Sequence, residues 1–189
     1  MLQRTTMSAT TIVALNQGET PKCPLRVCST GEWVVLHTKS RCEKVLSEEM
    51  TLQGIDHFLP LVGQVKYYGR RKAFVNEPLF PGYLFLKGTL NDAYQAARTK
   101  RVANILRVVK QEQIAWELHN LWLAISSGAR LDPFPALKKG VRVEISSGPF
   151  RGIQGIVQEK ARSNRLILQV ETLGQAVGLE LDGAILNPL

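Results

Sequence analysis

Catalytic equipment is what this sequence most lacks. Its 189 residues contain neither a GxGxxG nor a GxxxxGK[ST] string, so the common glycine-rich phosphate cradles are missing. The three histidines, His37, His57 and His119, stand apart from one another, whereas catalysis would need a nucleophile and base, a metal cluster or paired carboxylates in one cleft. The catalytic residues are therefore read as none, and an enzyme is disfavoured.

Cysteine is scarce as well. Cys23, Cys28 and Cys42 are an odd number, and Cys23 and Cys28 have four residues between them with no second Cys or His pair at zinc spacing. Neither a metal site nor a disulfide framework is supported, and the thiols are read as free. No cofactor is implied. Within residues 1–31 the longest apolar run is Ile12-Val13-Ala14-Leu15, too short for a secretory core or a membrane span. These residues lack helical or strand periodicity and are expected to be a disordered leader on a cytoplasmic protein with no membrane attachment.

What is present is apolar material for packed cores, 44% of residues, and a net charge of +8. The charge is spread thinly: residues 32–137 hold 14 basic and 10 acidic side chains, and residues 138–189 hold 7 and 5. Two stretches are locally basic and free of acids. Lys66-Tyr67-Tyr68-Gly69-Arg70-Arg71-Lys72 mixes cations with aromatics, and Ala93 to Gln111 carries Arg98, Lys100, Arg101, Arg107 and Lys110. Cations there can neutralise phosphates, and Tyr67 or Tyr68 can stack on an unpaired base. Arg70, Arg71, Lys72, Arg98, Lys100 and Arg101 are the candidate nucleic-acid contacts; a solvated hairpin tip is the plainer reading.

The periodicity predicts an α+β first half. Trp33 to Thr38 reads as a strand, and Ser40 with Glu43 as a capping box opening a helix whose apolar stripe is Cys42, Val45, Leu46 and Met50. Ile55 to Leu59, Val62 to Tyr68 and Lys72 to Val75 read as strands, with Gly69-Arg70 as a turn. Phe80 to Leu86 follows as a central strand with Tyr83 and Phe85 on one face and Leu84 and Leu86 on the other. Thr89 caps a short helix through Ala97, and Asn104 to Val109 returns as a strand. Gln111 to Ser126 is the clearest helix, with Ile114, Leu118, Leu121, Trp122 and Ile125 at helical spacing. Ser126-Ser127-Gly128 stops it, and Asp132-Pro133-Phe134-Pro135 reads as a stiff linker.

The last third is all strand. Val141 to Ile145 and Ile153 to Val157 are β-branched runs joined by Ser147-Gly148-Pro149-Phe150-Arg151-Gly152, a turn in which Gly148 and Gly152 supply positive φ. Arg165 to Val170 and Ala176 to Leu181 add two more strands.

Lys139-Gly140-Val141-Arg142-Val143, Gly148-Pro149-Phe150-Arg151-Gly152 and Gly155-Ile156-Val157 together resemble the KOW motif of the carboxy-terminal domain of NusG-family transcription factors. Glu77-Pro78-Leu79-Phe80-Pro81-Gly82-Tyr83-Leu84-Phe85-Leu86 is similar to the EPLFPGYLFV signature of that family's amino-terminal (NGN) domain. Two motifs in the family's order identify the chain as NusG-like, resembling a specialised paralogue of the RfaH, UpxY and LoaP kind.

The resemblance implies an NGN-type antiparallel sheet with flanking helices at 32–126, a linker at 127–137, and a small SH3-like five-stranded KOW β-barrel at 138–189. It further implies a monomer whose apolar residues near Phe80, Pro81, Tyr83 and Trp33 grip the clamp region of RNA polymerase. Non-template or upstream DNA is the second expected contact, and a ribosomal protein or termination factor, through the KOW domain, the third. Gly148, Phe150 and Gly152 are read as the KOW turn itself. Because KOW modules also occur in ribosomal proteins, a ribosome-associated or general RNA-binding protein without polymerase contact is the competing reading.

Overall fold

The computed structural model describes residues 31–134, 140–157, 165–181 and 186–189. The leader expected at 1–31, with Cys23 and Cys28, lies outside the described residues except for Gly31. The first half runs β1 (Glu32–Thr38), α1 (Glu43–Leu52), β2 (His57–Phe58), β3 (Leu61–Tyr68), β4 (Arg71–Pro78), β5 (Tyr83–Gly88), α2 (Leu90–Arg98), β6 (Val102–Arg107) and α3 (Gln111–Ser126). The second half runs β7 (Leu131–Phe134), β8 (Val141–Ile145), β9 (Gln154–Val157), β10 (Arg165–Val170), a 3₁₀ turn (Glu171–Leu173), β11 (Gln175–Glu180) and β12 (Leu186–Pro188).

Four strands form an antiparallel sheet in the order β2-β5-β1-β6, with β1 and β5 central. Side chains alternate across a strand, so β1 serves two cores. Val34 and Leu36 lie opposite Leu86 and Leu84 of β5 and pack with Leu46 and Met50 of α1 and Ala93 and Ala96 of α2. Trp33, Val35 and Phe85 belong to the other core, with Ile114, Leu118 and Leu121 of α3. Cutting a fully buried leucine such as Leu36 to alanine costs about 2–5 kcal/mol. The split of β5 follows the alternation: Tyr83 and Phe85 face the α3 side, Leu84 and Leu86 the other.

The second half is a six-stranded antiparallel sheet in the order β12-β8-β9-β10-β11-β7. Strands β8 to β12 are the five expected of a small barrel. The sixth is supplied by Leu131–Phe134, inside the stretch expected as a linker, which pairs along β11 from Leu131↔Leu179 to Phe134↔Ala176. Helix α3 is the wall shared by the two sheets, and a single apolar cluster runs from Phe85 and Leu118 through to Ile145 and Leu168.

Two local expectations are corrected. Helix α1 begins at Glu43 behind Cys42, which makes no side-chain cap; Arg41 sits at φ 60° and interrupts any helical run from Ser40. Strand β5 begins at Tyr83, because Pro81 and Gly82, the latter at φ 85°, form a turn before it. The capping box at Thr89 is present: its hydroxyl accepts the Asp92 N–H and Asp92 accepts the Thr89 N–H. No helix among the described residues is long and apolar enough to cross a membrane.

Candidate functional site

Three surfaces of the first half concentrate chemistry. The first is the Pro81-Gly82 corner. Gly82 donates its N–H to a Glu43 carboxylate oxygen at 2.7 Å and accepts the Thr38 N–H at 2.8 Å, which fastens the corner to α1 and to the end of β1. Tyr83 is half-buried and stacks on His37 with ring centroids 5.2 Å apart. Trp33 and Phe80 were expected beside an exposed patch, but both are in the core at 3% and 2% exposure. Phe80 lies edge-on to Phe85 at 6.3 Å, and Lys87 holds its ammonium 5.6 Å above the Trp33 ring. Alternation on β1 turns Trp33 toward α3, so among these four residues only Pro81 and Tyr83 offer accessible surface.

The second surface was missed by sequence reasoning. Strands β3 and β4 form a two-stranded ladder, eight pairs long, joined to no other strand among the described residues. Directly opposed residues share a face, and the pair Val65↔Phe74 puts two apolar side chains together, with Phe74 72% exposed. The Phe74 ring lies over Gly63, where any side chain would collide with it. Between this ribbon and the end of α3 runs a groove of about 760 Å³, lined by Val62, Val65 and Phe74 on one side and Ile125, Ala129 and Leu131 on the other. Exposed apolar side chains in one place on a soluble domain mark an interaction site. The signal in the sequence is the apolar content of β3 and β4, but that no described residue covers them is a tertiary fact.

The third surface is cationic. Arg70, Arg71 and Lys72 are exposed at the tip of the β3–β4 hairpin beside Tyr67 and Tyr68. Arg98 ends α2, Lys100 and Arg101 follow it, and the Lys39 N–H donates to the Arg101 carbonyl at 2.7 Å, which brings the 39–41 turn against them. Lys39 and Arg41, which sequence reasoning did not select, are thereby brought beside the second basic stretch. The charges of the two stretches are not equivalent. Arg101 is paired with Glu49 at 2.9 Å and Lys66 with Glu77, and each partner holds the cation's pKa above its ordinary value. Among the described residues, Arg98 and Lys100 have no carboxylate partner, and Lys100 is held at φ 61°.

In the second half, Gly148 and Gly152 sit at φ 83° and 88°, the left-handed region that glycine tolerates. Gly152 donates to the Ile145 carbonyl at 2.8 Å, and Phe150 packs against the core, so this turn closes the β8–β9 connection. The histidines have separate surroundings. His37 stacks on Tyr83, His119 on Trp122 at 6.0 Å, and His57 is buried between Ser47 and the Ile55 carbonyl.

Residues 31–120 match the family model described as transcription termination factor nusG. Over 167 residues the chain is 26% identical to the transcription termination/antitermination protein NusG of Rickettsia prowazekii, a match covering 80% of this chain and 86% of that relative. The proteins of the same name from Rickettsia typhi and Rickettsia conorii are 25% identical over 166 residues with the same coverage. The matched segment contains the four-stranded sheet, the β3–β4 hairpin and the first part of α3, so it is over residues 31–120 that the chain is similar to the NusG family.

Proposed function

We propose that this protein is a transcription elongation regulator that binds RNA polymerase and modulates pausing and termination, acting as an operon-specific antiterminator. The observation that carries the reading is the groove beside the hairpin, where Phe74 and Val65 are exposed among polar neighbours. A NusG-like domain with Phe74 and Val65 exposed along a groove offers a seat for an apolar helical element of the polymerase clamp region. Pro81 and Tyr83 are proposed to extend that contact from the neighbouring corner.

The cationic surface is proposed to meet upstream or non-template DNA, where Arg70, Arg71, Lys72, Arg98 and Lys100 neutralise phosphates and Tyr67 or Tyr68 stacks on a base. Arg101 is a weaker candidate, since Glu49 already holds it. The carboxy-terminal sheet is proposed to receive a second factor, a ribosomal protein or a termination factor. None of these roles requires catalysis.

The test is transcription in vitro with core RNA polymerase. Pause lifetimes should shorten and terminator readthrough should rise on a responsive operon, and the protein should co-purify with the polymerase. Retention on ribosomes alone, with no change in pausing, overturns the reading in favour of a ribosomal or general RNA-binding role. A genome-wide occupancy map should show one or a few operons; occupancy on all transcribed genes would replace the operon-specific role with a general one.

A further inference from the structure

The β3–β4 ribbon has an edge that the chain itself leaves open. Strand β4 pairs with β3 on one side and, among the described residues, with no strand on the other. In an antiparallel ladder, opposed residues alternate between pairs that exchange hydrogen bonds and pairs that do not. The phase is fixed at both ends of the ribbon. A two-residue loop, Gly69-Arg70, closes on the pair Tyr68↔Arg71, and one pair beyond Leu61↔Pro78 the Leu79 N–H donates to the Pro60 carbonyl at 2.8 Å. Arg71, Ala73, Val75 and Glu77 therefore direct their main-chain groups at β3, while Lys72, Phe74 and Asn76 turn theirs outward.

The outward residues are set symmetrically about Phe74. A second copy of β4, antiparallel and related by a two-fold axis at Phe74, puts Phe74 opposite Phe74 and Lys72 opposite Asn76, each such pair exchanging two main-chain bonds. On the other face the same register sets Ala73 against Val75 and Arg71 against Glu77, in both directions. Among the described residues Arg71 has no carboxylate partner, and Lys66 takes Oε1 of Glu77, so Oε2 is the oxygen left for Arg71 of the second copy. Opposite charges directly across a strand pair stabilise it. Shifting the register by one hydrogen-bonded step sets Lys72 against Pro78, which has no N–H to give, or Asn76 against the turn residue Arg70. The same operation on β3, about Val65, sets Gln64 against Lys66 and gains no ion pair. The Phe74 ring leans over Gly63 of β3, which leaves the β4 edge clear.

We propose that the β4 edges of two copies pair in this register, joining two ribbons into one four-stranded antiparallel sheet and the chain into a two-fold symmetric dimer. Val65 and Phe74 of both copies then form one apolar stripe across that sheet, and the two cationic tips point in opposite directions. With a single strand pair at its centre the interface is small, so the dimer is weak and concentration-dependent. The monomer that the family resemblance implies is its dissociated form. The pairing rests on the ribbon alone and stands whether or not the neighbouring groove seats a polymerase element.

The test is sedimentation equilibrium on the full chain, with amide hydrogen exchange reading the register. The native protein should dimerise as its concentration rises. The amides of Lys72, Phe74 and Asn76 should gain protection with it, while those of Ala73 and Val75, bonded to β3, stay protected at every concentration. Arg71→Glu and Glu77→Arg each set like charges across the pairing at two places and should weaken the dimer about tenfold. Combined in one chain, the two substitutions restore opposite charges and should restore the dimer. A native chain that stays monomeric, a dimer in which the alternate amides gain no protection, or single variants that dimerise as tightly as native would overturn the proposal.

Discussion

The Glu43 carboxylate, in the first turn of α1, accepts the main-chain N–H of Gly82 across 39 residues of sequence at 2.7 Å. Glu43 is 7% exposed, so water is a poor substitute for it. Glu43→Ala should cost about 1 kcal/mol, toward the lower end of the penalty for leaving a donor unpaired, because Gly82 is only partly buried. Glu43→Gln, which keeps an acceptor oxygen, should cost less. Urea denaturation gives the order, and the Gly82 amide resonance should move in the alanine variant; equal stability in all three proteins would refute the assignment.

Phe74 is exposed on the two-stranded ribbon, and among the described residues nothing covers it. Phe74→Ser should leave the unfolding free energy within about 0.5 kcal/mol of native, as surface changes do. It should nevertheless weaken retention on core RNA polymerase tenfold or more, the scale of an aromatic anchor. Pull-down with unchanged retention would remove the groove from the proposed contact.

Charge removal at the basic surface should be uneven. Each phosphate neutralised on a single strand contributes about 0.7 to the salt slope of binding. Arg98→Ala, Lys100→Ala and Arg101→Ala together should lower the slope for single-stranded DNA by roughly the equivalent of two contacts, not three, because Glu49 holds Arg101. Lys100→Gly should separate strain from charge: it relieves a left-handed backbone costing about 1 kcal/mol and still loses affinity. Fluorescence anisotropy over a salt series, paired with thermal unfolding, measures both.

His57 makes the first half acid-sensitive. The Ile55 carbonyl can only accept, so Nδ1 carries the proton and Nε2 accepts from the Ser47 hydroxyl, at 2.9 and 2.7 Å. Burial lowers its pKa below the ordinary 6.5, outweighing the Ile55 bond and Asp56, which raise it. Below pH 6.5 the unfolded chain takes up the proton more readily than the folded one, so stability should be complete above that pH and fall as the pH drops toward the folded value. His57→Gln should flatten the part of the stability profile that falls below pH 6.5; an unchanged slope in that variant would show that other groups set it.

Local signals were strong where local physics decides. Helix α3 has the bounds Gln111–Ser126 that its apolar spacing and the Ser127-Gly128 stop imply, and Thr89 caps α2 as its Asp92 partner requires. The two sheets and their order in the chain were legible from alternating runs and two motifs. What depends on distant partners was not. Glu43 reads as half of a capping box until Gly82 is brought to it. Trp33 and Phe80 read equally well as anchors or as core until the sheet acquires α3 on one face. Leu131–Phe134 looks like a stiff connection because its only reason to be a strand is β11, more than 40 residues on. Lys39 and Arg41 carry no motif at all; a main-chain hydrogen bond to Arg101 recruits them.

The hairpin has one more property, and it concerns length. Eight opposed pairs, from Leu61↔Pro78 to Tyr68↔Arg71, extend about 25 Å at roughly 3.3 Å per residue. Its apolar side chains lie on the lower part and its cations at the end, so the ribbon works as a spacer between two chemistries. Adding one residue to each strand would turn every side chain beyond the insertion to the opposite face. Adding two would keep both chemistries and move the cations about 7 Å farther out. Reach, more than affinity, is what this ribbon contributes.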